Sequence, residues 1–290
     1  MIRTLNDLIN DILNDNEIIL KDEYIGKEGI PYCKSCKTPR YFVSDDKKYV
    51  IRCLCKCQEE ARDKKEAEDI VRRRSEALNE RYKLSLLGER YKNILFADAT
   101  ITEFNESAFK KCYNYVKSAE IVLENNIGLY IYGENSTGKT FLAACICNEL
   151  LRKGYRCIYT NIATILNEIH RSFNAGNKGE NMLMNRLQFY EFAFIDDLGK
   201  DFIGREYNAT ASKWAEEKLF EVINARYNAQ KPIVFTSNYS ITDLERVLKL
   251  DKAIVERINE MATRVLKLNG DDFRLIRRLN KNDIIKQIGI

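Results

Sequence analysis

Hydrophobic and polar positions follow three successive patterns along the chain. At the N-terminus Leu5, Leu8, Ile9, Ile12 and Leu13 recur at i, i+3, i+4, i+7 and i+8, the spacing of one helical face. Thr4 with Asp7 offers an N-cap. This predicts an amphipathic first helix, which either packs on its own small domain or presents a face to a partner. From Gln58 to about Lys92 apolar positions thin out and charges of both signs interleave, as in "EEARDKKEAEDIVRRR". Alternating charge predicts a solvated connecting helix and not a nucleic-acid arm. After about Asn93 short apolar runs at 128–132, 155–160, 192–197 and 232–237 are separated by helical patterns such as 140–152 and 213–229. Strands alternating with helices predict an α/β domain, a central parallel sheet flanked by helices. The cluster "FNAGNKGEN" at 173–181 reads as a surface loop.

At 290 residues the chain exceeds one average domain, so two unequal domains are expected. Charged residues make up 31% and hydrophobic ones 45%, which fits a globular protein with a solvated surface. No run of eighteen apolar residues occurs, so no membrane-crossing segment is expected. The opening "MIRTLNDLINDIL" interrupts its apolar residues with Asn and Asp, unlike a secretory signal. A cytoplasmic place is expected. The net charge of +4 is too small to imply nucleic-acid binding without a local patch. Arg171, Phe173, Lys178 and Arg186 offer one: cations beside a ring that could stack on a base of single-stranded DNA, with a plain solvated loop as the alternative.

The residues with the most specific chemistry are Gly133, Glu134, Asn135, Ser136, Thr137, Gly138, Lys139 and Thr140, which directly follow the apolar run at 128–132. This is the strand, glycine-rich loop and helix of a phosphate-binding site. The glycines let backbone N–H groups face phosphate oxygens, and the following helix adds its positive end. Lys139 is placed to reach the β and γ phosphates of ATP, and Thr140 to put its hydroxyl on Mg2+. Phe192 to Ile195 form a second apolar strand ending in Asp196 and Asp197. Asp196 is expected to hold the metal's water shell, and Asp197 to orient or deprotonate the attacking water. Asp197 is one methylene shorter than the glutamate common at such a position, so slow turnover is expected. The strand "PIVFTSN" ends in Asn238 and is expected between the other two, where Asn238 could reach the γ-phosphate or its attacking water.

Of nine cysteines, five fall within residues 33–57, while Cys112, Cys145, Cys147 and Cys157 lie in apolar segments. In a reducing compartment the first group suggests metal and the second packing. Cys33 and Cys36 form a C-x-x-C knuckle, and Cys53, Cys55 and Cys57 compete for the two remaining places in a tetrahedral Zn2+ shell. A small, core-poor domain would draw folding free energy from such a metal. The single histidine, His170, lies on a helical pattern away from this cluster and is assigned no role.

Taken in order, "CKSC" then "CLCKCQEE", "GLYIYGENSTGKTFLAACICNEL", "FAFIDDLG", "ARYNAQKPIVFTSN" and "ERINEMATRVLKLNGDDFR" resemble the DnaC/DnaI-like replicative helicase loaders of the AAA+ superfamily, across nearly the whole chain. The resemblance implies an AAA+ P-loop ATPase with a small, mostly helical, zinc-binding domain ahead of it. It assigns zinc to Cys33, Cys36, Cys55 and Cys57, with Cys53 as the spare. It makes Asn238 the first sensor, Arg257 the arginine finger and Arg274 the second sensor. Two departures stand out. Ala253 replaces a second interface arginine, and the chain after Arg274 is short for a full helical lid. Arg226 in "NARY" also matches a recurring family arginine, with a surface salt bridge as its plain alternative. The implied organisation is a helicase-binding zinc domain at 1–60, a charged linker helix at 61–95 and the ATPase domain at 96–290. The implied partners are a replicative DNA helicase, single-stranded DNA and further copies of the chain, with nucleotide at their interfaces. The rival readings are the ATPase helper of a transposase (IstB-like) and a P-loop kinase acting on a small molecule.

Overall fold

Alternating strand and helix patterns in the second half of the chain become one parallel sheet with helices on both faces. The structure is a computed structural model that describes residues 21–26, 30–44, 50–174, 178–200, 209–270 and 272–275. The predicted first helix, residues 4–13, lies outside them. The chain divides into two compact units, Met1–Glu76 and Ala77–Ile290, and the predicted linker at 61–95 spans that division.

In the second unit α2 (Glu106–Lys117) and α3 (Ala119–Glu124) precede β5 (Leu129–Tyr132) and α4 (Lys139–Arg152). Next come β6 (Cys157–Asn161), α5 (Ile162–Asn174), α6 (Lys178–Phe189), β7 (Phe192–Leu198), α7 (Ala209–Asn228) and β8 (Ile233–Ser237). The described part closes with α8 (Ile241–Arg246), α9 (Lys252–Met261) and β9 (Arg264–Lys267). The strand order is β6-β7-β8-β5-β9, all parallel, so β8 lies between the other two strands as expected.

Successive strand residues feed opposite cores. Leu129, Ile131, Phe192, Phe194 and Val234 join the layer under α2 and α4. Tyr130, Ala193, Ile195, Ile233 and Phe235 join the layer under α5, α7 and α9. Burial on both faces explains why these strands read as continuous apolar runs, and each large side chain so buried contributes about 1.5–3 kcal/mol.

Two sequence expectations change. The surface loop at 173–181 is largely helical, because α5 runs to Asn174 and α6 starts at Lys178; the core positions Ile162, Ile165, Ile169, Leu183 and Leu187 hold these helices against the sheet. A fifth strand, β9, adds to the edge beside β5. It buries only Leu266 of its four residues, which leaves little apolar signal.

In the first unit the cysteine region folds as two antiparallel hairpins, β1 (Glu23–Ile25) with β2 (Pro31–Cys33) and β3 (Tyr41–Val43) with β4 (Val50–Arg52). The 30-residue helix α1 (Lys56–Ser85) follows. Its predicted solvation is evident in exposed pairs such as Arg62 with Glu66 and Arg72 with Asp69, each worth only a few tenths of a kcal/mol. It ends where the Ser85 hydroxyl bonds the Tyr82 carbonyl and accepts the Leu87 N–H. Among the described residues no helix is long and apolar enough to cross a membrane.

Candidate nucleotide site and cysteine cluster

The loop after β5 needs glycine at two places for different reasons. A Cβ on Gly133 would meet the Leu268 carbonyl oxygen at 2.1 Å, so β9 can lie beside the loop only if this residue has no side chain. Gly138 caps α4 at φ +96°, a left-handed conformation that a side chain disfavours. Thr137 is buried and its hydroxyl donates to the Glu134 carbonyl at 2.9 Å, closing the turn. Glu134 and Asn135 are exposed and Ser136 is half-buried at the tip. Lys139 folds back under the loop, its ammonium donating to the carbonyls of Gly133 (3.0 Å) and Glu134 (2.7 Å). Burial pushes its pKa down, and the carboxylates of Asp197 and Asp196 oppose that shift. The result is a tight glycine loop at the start of a helix with a cation beneath it, and a helix N-terminus so equipped can receive an anionic phosphate chain.

Thr140 and Asp196 meet across this loop, the Thr140 hydroxyl donating to Asp196 Oδ1 at 3.1 Å. Burial pushes the Asp196 carboxyl above its usual range, while hydroxyls of Thr236 and Thr140 pull the other way. A hydroxyl beside a desolvated carboxylate is a hard oxygen donor set suited to Mg2+. The ladder between β7 and β8 slips between Ile195 and Leu198, forming a bulge that turns Asp197 to φ +57°. Asp197 therefore diverges from Asp196 and lies 3.3 Å from the Lys200 ammonium. Asn238 is half-exposed immediately beyond β8, at the same end of the sheet.

Sequence reasoning missed Thr236. Its hydroxyl donates to Asp196 Oδ1 at 2.5 Å and accepts the Asp197 N–H at 2.9 Å, filling the bulge and joining both acids to β8. The available signal was a run of three polar residues ending an apolar strand, of which only the last, Asn238, received a role.

Arg274 comes to the loop as well. The Phe273 N–H donates to the Ser136 carbonyl at 3.2 Å, and Asp272 accepts the N–H groups of Arg274 and Leu275. Arg274 is exposed there and close enough for its charge to depress Lys139 further. Arg257 is elsewhere. It lies on α9 one turn before Met261, whose carbonyl abuts Gly128 just ahead of β5, toward the end of the sheet opposite the loop. Its guanidinium sits 4.5 Å from the Phe220 ring centre, and Nη1 is buried without a hydrogen-bond partner. The neighbouring acids are engaged otherwise, Glu256 with Lys252 and Glu260 with the Tyr227 hydroxyl.

Arg226 forms no surface ion pair. It is fully buried and donates to four backbone carbonyls, those of Leu187, Tyr190, Glu191 and Pro232, at 2.6–3.0 Å. Burial pushes its pKa down to about 9. It binds the end of α6 to the approaches of β7 and β8. Of the residues expected to contact DNA, the side chains of Arg171, Phe173 and Lys178 lie outside the described residues, as does that of His170. Arg186 is half-buried and reaches the Leu84 carbonyl at 3.4 Å.

In the first unit the sulfurs of Cys33, Cys36, Cys55 and Cys57 all lie within 4.8 Å of one another. Cys33 and Cys57 are 3.6 Å apart and Cys55 and Cys57 3.2 Å, against an edge of about 3.8 Å for a tetrahedron with Zn–S bonds of about 2.3 Å. Cys53 turns away, its sulfur 3.7 Å from the Pro39 carbonyl. The Thr38 hydroxyl foremost holds Cys36 down at about 5. Hydrogen bonds from Cys55, Cys33 and Cys36 push Cys57 up to about 12. Four crowded sulfurs share protons that a bound dication would displace.

Comparison with known proteins adds to this geometry. The family model described as IstB-like ATP binding protein matches residues 69–281. The replicative helicase loader DnaC of Escherichia coli (strain K12) is 25% identical over 169 residues, 58% of this chain and 63% of that protein, so the match spans less than two thirds of the relative. The phage-like element PBSX protein XkdC of Bacillus subtilis (strain 168) is 26% identical over 291 residues, 96% of this chain and 97% of that one. Among solved structures, that of a putative primosome component from Streptococcus pyogenes serotype M3 superposes with a TM-score of 0.51 at 26% identity, covering 67% of this chain and 96% of the other.

Proposed function

This chain belongs to the family of IstB-like ATP binding proteins, and from that premise we propose that it is an ATP-driven loader of a replicative helicase onto single-stranded DNA. The observation that carries the ATPase part is the convergence of Lys139, Thr140, Asp196, Asp197 and Asn238 at one end of the parallel sheet. In this reading the loop N–H groups and Lys139 bind the phosphates. Thr140 and Asp196 hold Mg2+, which screens phosphate charge when bound. Asp197 orients the attacking water or takes its proton, Asn238 fixes the γ-phosphate end, and Arg274 covers the loop from Phe273's side.

Arg257 lies toward the end of the sheet away from its own loop. Its half-exposed side chain, braced on Phe220, instead supports a finger presented to the nucleotide of a neighbouring copy. Nucleotide would then sit at subunit interfaces, and hydrolysis would release the assembled, helicase-gripping state.

The loader part rests on the names of the relatives and on the four-sulfur site ahead of the ATPase. In this reading Cys33, Cys36, Cys55 and Cys57 hold Zn2+, residues 1–60 grip the helicase, 61–95 is the charged linker and 96–290 the ATPase. Arg171, Phe173, Lys178 and Arg186 touch single-stranded DNA, and the protein works in the cytoplasm. The family description itself favours a second reading, an ATPase helper of a transposase. Affinity capture separates them. The intact chain should retain a replicative helicase, and a chain lacking residues 1–60 should bind ATP without retaining it. Capture of a transposase and no helicase would establish the second reading.

A further inference from the structure

We propose that Arg40 is a built-in buried cation of the cysteine site, donating to the Cys55 sulfur and offsetting the negative charge that four thiolates leave around one dication. The inference rests on the metal reading of that site. Arg40 stands in sequence between the two cysteine pairs and is among the largest fully buried side chains, 2% exposed. Arginine is almost never buried so completely without partners. Its Nη1 lies 3.2 Å from Cys55 Sγ and also donates to Gln58 Oε1, its Nε donates to Glu23 Oε1 at 2.8 Å, and its Nη2 to Asp22 Oδ2 at 3.2 Å. The backbone fixes the same position: the Arg40 N–H donates to the Pro31 carbonyl, and the Arg40 carbonyl accepts the Cys53 N–H, each at 2.8 Å. Arg40 is thereby tied both to the strand carrying Cys33 and to the segment leading into Cys55.

An ion pair with Glu23 does not account for this placement. Arg52, on β4, already brings a guanidinium to the same Glu23 oxygen at 2.6 Å. The arm of Arg40 directed at sulfur is the feature left over. Four thiolates and one divalent ion carry a net charge of −2, which is costly away from water unless a cation or donors answer it. A guanidinium suits this place because it stays charged at any working pH and its planar fork can bond sulfur and carboxylate together. An N–H group on Cys55 withdraws charge from that sulfur, as the Thr38 hydroxyl does from Cys36 at 3.0 Å, so the four ligands are unequal. Groups that orient and tune metal ligands in this way change metal affinity about 10–100-fold when removed.

The test uses the full-length chain loaded with Zn2+ and titrated with a chromogenic chelator. Arg40→Met should lose affinity about 10–100-fold, and Arg40→Lys, which keeps charge without the fork, should fall between. Glu23→Gln keeps Arg40 and should hold zinc within a few-fold of the parent. Loading with Co2+ reads the contact directly: in Arg40→Met the four-sulfur tetrahedral bands should persist while the sulfur-to-cobalt charge-transfer band moves to longer wavelength. Equal zinc affinity in Arg40→Met and the parent would overturn the proposal. So would equal loss in Glu23→Gln and Arg40→Met, which would make Arg40 a fold clamp. A parent that binds neither zinc nor cobalt would reject the metal reading itself.

Discussion

Replacing Thr236 by valine keeps shape and removes the one hydroxyl that joins both acids of the nucleotide site. The side chain is 1% exposed, so water cannot take the hydroxyl's place. The change deletes a hydrogen bond to the Asp196 carboxylate, worth about 1.5–3 kcal/mol when the partner is charged, and leaves the Asp197 N–H without its acceptor, at about 1–3 kcal/mol. Asp196 keeps the Thr140 hydroxyl, and the bulge at Asp197 is partly open to water, so the lower half of the combined range applies, about 2.5–4 kcal/mol. Trp214 is the only tryptophan of the chain and packs against the core of the ATPase unit, so its fluorescence in a urea titration reads that unit alone. We expect the midpoint to fall for Thr236→Val and to recover for Thr236→Ser. With Lys139 and the loop intact, the KM for ATP should stay within a few-fold while kcat falls about tenfold or more, the equivalent of about 1.4 kcal/mol of misplaced carboxylate. A valine variant with the parent's midpoint and the parent's kcat would show that the hydroxyl holds neither acid.

Asp196→Asn should raise the stability of the ATPase unit at pH 7 while removing Mg2+-dependent nucleotide binding. Burial raises the folded-state pKa of Asp196, so the native chain binds a proton more readily than the unfolded one and the carboxylate destabilises as pH rises through that window. The advantage of Asn over Asp should therefore shrink as pH falls below the usual carboxylate range, and an advantage unchanged between pH 4 and pH 7 would contradict it. Arg226→Met should destabilise the same unit by about 3–5 kcal/mol, since four buried carbonyls lose a charged donor together; a loss below about 1 kcal/mol by the Trp214 signal would show that the clamp is idle. Arg257→Ala should bind ATP normally but lose the rise of specific activity with protein concentration. Mixing it with Lys139→Ala chains should restore part of that activity, because one supplies the pocket and the other the finger; a co-assembled mixture that stays inactive would place Arg257 within its own subunit.

The features read correctly from sequence share a physical cause. Strands β5 to β8 are apolar on both faces because helices cover both, and the strand, loop and helix at 129–152 are punctuated by glycines that the backbone requires at 133 and 138. What escaped reading depends on tertiary position. Strand β9 shows one buried side chain in four, so its "RVLK" looks like any edge or loop. Short strands of three residues around the cysteines carry too few alternations to register. Arg226 and Arg40 look like surface cations in a chain with 47 basic residues, and only the fold reveals carbonyls or a sulfur around them. Thr236 was seen as the end of a strand; its role comes from a bulge in the neighbouring strand, which nothing in "FIDD" announces.

The measurement that bears most directly on the account is ATP hydrolysis by the purified full-length chain, with and without Mg2+, alongside Lys139→Ala. The Lys139 ammonium is the only protein cation hydrogen-bonded beneath the loop among the described residues, and removing such a preplaced charge should lower kcat about 100- to 1,000-fold. Its Trp214 unfolding curve should stay near the parent's. Turnover in the parent should depend on Mg2+ and be almost absent in the variant. Turnover at the parent's rate by a folded Lys139→Ala chain would contradict this reading of the site.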